Sequence, residues 1–256
     1  MSNTFSDVCF VDADRGYIAC SGGLVLATAN GGSTWMLQPT GQTVNLRSLA
    51  FPISSDLGYA VGDYGAILKT TDGGVTWSAQ ASGVTSTLYA VVFRDEQTGY
   101  AVGSSGRALR TTDGGAHWSA QYVGYNDLWS VAVTGPTTAV AVGRCGSIWR
   151  TTNTGATWAA ESSHTGDDLY KVRFASDGQH GLAVGCPYWD NGSSILRTTD
   201  GGATWTRLDR RVTDVVLGAC HFCDAENGVA VGDNGTRAPN GRWWSQLDLA
   251  AHWYLQ

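Results

Sequence analysis

Tryptophan returns along this chain at positions 35, 77, 118, 158 and 205, at intervals of 42, 41, 40 and 47 residues. Each of the five closes a short polar turn: TANGGSTW (28–35), TTDGGVTW (70–77), TTDGGAHW (111–118), TTNTGATW (151–158) and TTDGGATW (198–205). A second landmark runs in phase, as GYIAC (16–20), GYAVG (58–62), GYAVG (99–103), AVAVG (139–143), GLAVG (181–185) and GVAVG (228–232). That makes six units, bounded approximately at 4–43, 44–86, 87–126, 127–167, 168–213 and 214–256. A fixed period of this length means one supersecondary unit copied along the chain, each copy burying its apolar face against the next.

Each unit reads as four short strands. In the third, LYAVVF (88–93) is rich in β-formers, GYAVG follows a polar turn, and RALRT (107–111) and HWSAQYV (117–123) complete the set. Tips such as Asp63-Tyr64 and Ser104-Ser105, flanked by glycine, suit two-residue hairpins. No helical periodicity competes. The expected fold is all-β: a six-bladed β-propeller of four-stranded antiparallel blades, forming a single domain over 1–256. The termini then meet between the first and last blades, with the aromatic tail WWSQLDLAAHWYLQ at the seam; the alternative is an incomplete ring completed by a partner chain.

The tryptophan turn has a mechanical reading. A carboxylate at Asp72, Asp113 or Asp200 accepts backbone N–H groups across its own turn, and glycine supplies positive φ without a Cβ clash. Trp35, Trp77, Trp118, Trp158 and Trp205 then drive a large apolar ring between blades. Asn30 and Asn153 replace the aspartate in two copies, keeping the acceptor oxygen and losing the charge. A turn survives that exchange; a catalytic carboxylate does not. The pattern Ser/Thr-x-Asp-x-Gly-x-Thr-Trp resembles the Asp-box of sialidases, sortilin-type receptors and related propellers. The sixth unit, RAPNGRWW (237–244), has lost most of it.

The longer strings GYAVGDYGAILKTTDGGVTW (58–77) and GYAVGSSGRALRTTDGGAHW (99–118) are similar to the repeat of the photosystem II stability/assembly factor propellers. The resemblance spans five units well and the last poorly. It implies a protein that binds other proteins while membrane complexes are assembled, that is not an enzyme, and that closes with seven blades where six are countable here. An arginine-lined binding face is also implied.

Composition bounds the partners. The net charge is -6 with only 15% charged residues, so a phosphate-coating role has no electrostatic basis and nucleic acid is not an expected partner. No apolar run reaches the roughly 20 residues that cross a bilayer, and MSNTFSDVCF lacks the basic and apolar regions of a secretory signal. An intracellular protein, cytoplasmic or organellar, without direct membrane insertion and with protein partners in a multi-subunit complex, is the expectation.

Candidate contact residues lie on the hairpin tips between second and third strands: SGG (21–23), DYG (63–65), SSGR (104–107), RCG (144–146), CPYWDNG (186–192) and DNG (233–235). Arg107 and Arg144 are placed to hold a carboxylate through forked hydrogen bonds. Tyr188, Trp189 and Asp190, on the longest tip, form a plausible aromatic anchor. Lys69, Arg110, Arg150 and Arg197 recur just before the turn and read as solvated strand ends or inter-blade pairs.

The alternative is a carbohydrate-binding or glycosidase-type, sialidase-like propeller. That chemistry asks for an arginine triad, a tyrosine nucleophile and acids, or two carboxyls about 5 Å apart. Arg47, Arg173, Tyr89 and Tyr170 lie in first strands, with Asp63, Asp127, Asp168 and Asp190 as the acids to weigh. Arg47, Tyr89, Trp129 and Tyr170 share one repeat position, which favours packing over a unique centre. No cofactor or metal is expected: Cys220 and Cys223 have CxxC spacing without a second pair, and their strand turns them to opposite faces. Cys145 and Cys186 fall on adjacent tips and are expected as free thiols.

Overall fold

Runs of β-formers punctuated by glycine turns fold into six antiparallel sheets, five of four strands and the last of three among the described residues. The computed structural model describes residues 4–52, 56–187, 193–208, 216–222, 224, 227–232 and 247–248. The chain divides into two compact units, 1–125 and 126–256.

The first unit holds sheets 1 to 3. Sheet 1 is β1 (Phe5–Phe10), β2 (Arg15–Cys20), β3 (Leu24–Ala29) and β4 (Met36–Pro39); sheet 2 is β5 (Leu46–Ala50), β6 (Gly58–Gly62), β7 (Ile67–Thr70) and β8 (Ser78–Ala79). Sheet 3 is β9 (Leu88–Phe93), β10 (Gly99–Gly103), β11 (Arg107–Thr111) and β12 (Ser119–Tyr122). The second unit holds sheet 4, β13 (Leu128–Val133), β14 (Ala139–Gly143), β15 (Ile148–Thr151) and β16 (Ala159–Glu161), and sheet 5, β17 (Asp168–Phe174), β18 (Gly181–Cys186), β19 (Ser194–Thr198) and β20 (Thr206–Arg207). Sheet 6 comprises β21 (Leu217–Phe222), β22 (Asn227–Gly232) and β23 (Leu247–Asp248). Among the described residues no helix is long and apolar enough to cross a membrane.

Burial follows strand position. All five residues of β6, β10 and β14 are buried, so the second strand is covered on both faces and shows no alternation. The fourth strands β8 and β12 are largely exposed and form the outer edge. Between sheets of one unit the seam is apolar: Tyr59, Val61 and Ile67 of sheet 2 pack on Leu88, Val91 and Phe93 of sheet 3, and Val140, Val142 and Ile148 of sheet 4 pack on Leu169 and Val172 of sheet 5. Each such leucine or valine contributes about 1.5–3 kcal/mol by leaving water.

Two glycines of the GYAVG string are dictated by close approach. A Cβ on Gly58 would stand 2.3 Å from the Phe51 ring, and one on Gly62 would stand 2.2 Å from the Asn45 carbonyl oxygen. The first glycine therefore clears room for an aromatic on the first strand, and the last lets that strand press against its neighbour. Sheet 4 solves the first problem differently, pairing Val133 with Ala139.

Candidate functional site

The tryptophan turn is a closed hydrogen-bond circuit. In its second copy Thr70 Oγ1 donates to Asp72 Oδ1 at 2.8 Å and accepts the Gly74 N–H at 2.8 Å, while Asp72 accepts the Thr76 N–H at 2.9 Å and the Thr76 hydroxyl at 2.6 Å. The copies at Asp113 and Asp200 repeat it, with the His117 ring nitrogen taking the hydroxyl's place in one. With asparagine the circuit survives by reversing one polarity: Asn30 Nδ2 donates to Thr34 Oγ1 at 2.8 Å, and Asn153 Nδ2 to Thr157 Oγ1 at 2.8 Å. The His117 amide and ring beside Asp113 hold its carboxyl down to about 2. At Asp200 partial burial pushes upward, but the Thr204 hydroxyl and amide outweigh it and the carboxyl stays below its ordinary value. These carboxylates are ionised and spent on their own turn.

Three of the tryptophans meet an aromatic at or just past the end of the first strand of their own sheet. Trp77 meets Phe51 edge-on at 6.4 Å, Trp118 meets Phe93 at 5.9 Å, and Trp205 meets Phe174 at 6.0 Å. The basic residue before the turn reaches the following sheet: Lys69 Nζ donates to the Gly114 carbonyl at 2.8 Å and Arg150 Nε to the Gly201 carbonyl at 3.0 Å. Lys69 and Arg150 are thus inter-sheet pins at that repeated position.

The opposite end of sheets 1 to 4 carries the described tips. They are three-residue turns, not two: Ser21–Gly23, Asp63–Gly65, Ser104–Gly106 and Arg144–Gly146. The last residue of each is glycine because it lies too close to backbone for any side chain; a Cβ on Gly65 would stand 2.0 Å from the Val84 carbonyl oxygen. The central residue takes positive φ, at 73° for Gly22 but also 58° for Tyr64, 56° for Ser105 and 54° for Cys145. Three tips thus carry a side chain where glycine is the relaxed choice.

Beside each tip the first strand bulges by one residue. The register shifts fall at Ser6, Arg47, Tyr89, Trp129, Tyr170 and Gly218. A bulge re-aims the extra side chain, which explains why these positions vary in chemistry while the residue before each, Phe5 or a leucine, stays apolar. In the first unit the re-aimed Arg47 grips Asp63, Nε to Oδ1 at 2.8 Å and Nη2 to Oδ2 at 3.1 Å, with Asn45 Nδ2 adding a bond at 2.9 Å. Burial raises the Asp63 carboxyl, yet the Arg47 and Asn45 hydrogen bonds outweigh it and hold it low. In the second unit Trp129 and Tyr170 meet at 5.2 Å, and the Tyr170 hydroxyl lies 3.3 Å from Cys186 Sγ. Asp168 Oδ1 accepts the Cys145 N–H at 2.9 Å.

Of the residues singled out from sequence, Arg144 is exposed on its tip. Arg107 begins β11 and lies over the Tyr122 ring at 3.5 Å, donating from Nη2 to the Tyr122 hydroxyl. It faces the outer strand because the register pairs Arg107 with Tyr122. Tyr188, Trp189 and Asp190 lie outside the described residues, as does Cys223. Cys145 and Cys186 are free thiols. Among the described residues no cluster of His, Cys, Asp or Glu is placed to hold a metal ion. Sequence reasoning missed the Arg47–Asp63 pair and exposed Tyr64; the shared repeat position of Arg47, Tyr89, Trp129 and Tyr170 was the available signal.

Residues 1–81 match the family model described as photosynthesis system II assembly factor YCF48. Among solved structures, one described as YCF48 bound to D1 peptide is 21% identical with a TM-score of 0.57, covering 90% of both chains. YCF48 from Cyanidioschyzon merolae is 19% identical with a TM-score of 0.58, covering 90% of this chain and 92% of that one. A GH74 enzyme from Niastella koreensis is 16% identical with a TM-score of 0.73, this chain spanning 44% of its length. No curated protein sequence matches the chain. The likenesses show the fold, an all-β propeller type built here from six antiparallel sheets among the described residues, and residues 1–81 are similar to the YCF48 assembly-factor family.

Proposed function

We propose that this chain is a non-enzymatic, protein-binding scaffold of the assembly-factor kind, a subunit or assembly partner of a larger complex, which contacts polypeptide through its hairpin tips and first-strand bulges. The observation that carries the reading is the division of labour between the two ends of each sheet. At the box end the carboxylates of Asp72, Asp113 and Asp200 are consumed in turn circuits. At the tip end, Tyr64 of the first unit is 77% exposed on a turn of positive φ, and in the second unit Arg144 is exposed on a glycine-flanked tip of the sheet whose first strand carries Trp129, which meets Tyr170. Aromatic and arginine side chains are the types that dominate protein contacts, and strain held at a tip is the kind of cost retained where a side chain is needed. The likeness to YCF48 bound to D1 peptide over 90% of both chains supports a polypeptide ligand.

The test is capture from a native extract on immobilised chain, with mass spectrometry, repeated with Arg144→Glu and Trp129→Ala. The expected result is a defined set of polypeptides whose capture falls at least tenfold in both variants. Retention of glycans on an array, or release of sugar from a polysaccharide, with no polypeptide captured would reverse the reading.

A further inference from the structure

Four of the five boxes follow a basic residue, Lys69, Arg110, Arg150 or Arg197, and the first follows Ala27. Between sheets 2 and 3 the basic residue has a complete setting. Lys69 Nζ donates to the Gly114 carbonyl at 2.8 Å and lies 5.6 Å from the centroid of the Tyr59 ring, whose hydroxyl shares that carbonyl at 2.9 Å. Between sheets 1 and 2, in the same unit, the setting is repeated but Ala27 brings no cation to it. Tyr17 stacks on Phe51 with centroids 4.0 Å apart, and its hydroxyl donates to the Gly73 carbonyl at 3.1 Å. Among the described residues that carbonyl accepts no second bond, although a carbonyl oxygen has two lone pairs.

A hollow of about 360 Å³ lies there, lined from sheet 1 by Tyr17, Ala27 and Met36 and from the second repeat by Asp56, Asp72 and Gly73. Its size is that of a small-ligand site, about 300–1,000 Å³. Gln38 lines it too, with Oε1 buried and no hydrogen-bond partner among the described residues. Met36 and Gln38 belong to the outer strand β4; the matching hollow between sheets 4 and 5 is lined by Arg150 and by no residue of its outer strand β16. The charges of the first hollow suit a cation. Two aspartates line it against one arginine, and Arg15 is half exposed and held by Asp12, Nε to Oδ2 at 2.8 Å. Asp72 is spent as an acceptor on its own turn but keeps its charge.

We propose that this hollow binds a primary alkylammonium group in the place that Lys69 fills one seam later. The N–H donors go to the Gly73 carbonyl, the charge lies over the Tyr17 ring beside Asp56 and Asp72, and the methylene stem runs along Ala27 and Met36. An ammonium is the head group expected because the other tyrosine-bearing seam of this unit is filled by lysine. A lysine side chain of another polypeptide and a free aliphatic amine both carry that chemistry. The site lies at the box end and is independent of the tip-end reading.

Titration of the full chain, labelled with nitrogen-15, tests it by amide chemical shifts. The probes are n-butylammonium chloride and Nα-acetyl-lysine methylamide, with n-butanol and tetramethylammonium chloride as the neutral and donor-free controls. The Ala27, Gly73 and Gly74 amide signals are expected to shift saturably with n-butylammonium and to respond at least tenfold more weakly to both controls. In Ala27→Lys the built-in ammonium should take the same place, removing the response and raising the melting temperature. Binding of the blocked lysine as tight as that of n-butylammonium assigns the site to a polypeptide side chain, and binding of n-butylammonium alone assigns it to a free amine. No saturable shift with either amine overturns the proposal whether or not Ala27→Lys folds, as does a folded Ala27→Lys that binds n-butylammonium as well as the wild type.

Discussion

The Tyr59 ring lies on that of Phe93 with centroids 3.7 Å apart and planes 14° from parallel, while its hydroxyl donates to the Gly114 carbonyl at 2.9 Å. One side chain thus fastens sheet 2 to both the first strand and the box of sheet 3. Tyr59→Phe keeps the stack and removes the bond; because Lys69 still reaches Gly114, no acceptor is orphaned and the loss should be about 1 kcal/mol. Tyr59→Ala opens a cavity against Phe93 and should cost about 3–5 kcal/mol. Urea denaturation of the three proteins measures both steps.

Stability against pH should bend at two places. Burial pushes the Tyr59 phenol up to about 12, above its unfolded value of 10.0. A raised acid favours the protonated folded state, so this contribution is whole below the unfolded value and is lost as pH climbs toward the folded one. Tyr59→Phe should remove that part of the alkaline slope. Asp113 moves the other way, held at about 2 from 3.8 by His117. Its contribution is whole above the unfolded value and is lost as pH falls through the folded one, and Asp113→Asn should flatten that acid limb in a thermal scan.

The box should distinguish shape from charge. Asn30 and Asn153 hold the circuit natively, so Asp200→Asn should stay within about 0.5 kcal/mol of wild type. Asp200→Ala removes the acceptor for the Thr204 amide and hydroxyl and should cost about 1–2 kcal/mol, as loss of a helix cap does. Equal losses in the two variants would mean that the charge itself is the staple.

Thr154 carries φ of 58° where the other four boxes place Gly31, Gly73, Gly114 and Gly201 at 66–68°. A β-branched residue in that region is strained. Thr154→Gly should therefore stabilise the chain by up to about 1 kcal/mol, the relief being partly offset by the freer unfolded glycine. A lower melting temperature would show that Thr154 makes up the strain through a contact of its own.

The boxes and the strand count were legible in the sequence because both rest on local chemistry: an acceptor, a hydroxyl and glycines within five residues dictate the turn wherever it lands. The bulges were half-legible. Arg47, Tyr89, Trp129 and Tyr170 could be aligned, but their re-aiming depends on Gly62, Gly103, Gly143 and Gly185 meeting the carbonyls of Asn45, Thr87, Asp127 and Asp168, which is a cross-strand fact. Arg107 likewise reads as an open cation until the register sets it opposite Tyr122.

The exchange in sheet 4 supplies the sharpest test of how the repeat tolerates change. Gly99 lies opposite Phe93, and a Cβ there would stand 2.5 Å from the ring; sheet 4 has Val133 opposite Ala139 in the same place. Gly99→Ala alone should cost at least about 2 kcal/mol, since the ring is pinned between Tyr59 and Trp118 and cannot yield. Phe93→Val alone should also cost about 2 kcal/mol or more through the cavity it leaves. In the Phe93→Val background the clash is gone, and Gly99→Ala should become neutral or stabilising by about 0.5 kcal/mol through the stiffer unfolded chain. A double-mutant cycle by chemical denaturation reads the coupling directly, at about 2 kcal/mol. Additivity would mean that the glycine serves the backbone of β10 and not the aromatic ring, and that sheet 4 reached its valine and alanine independently.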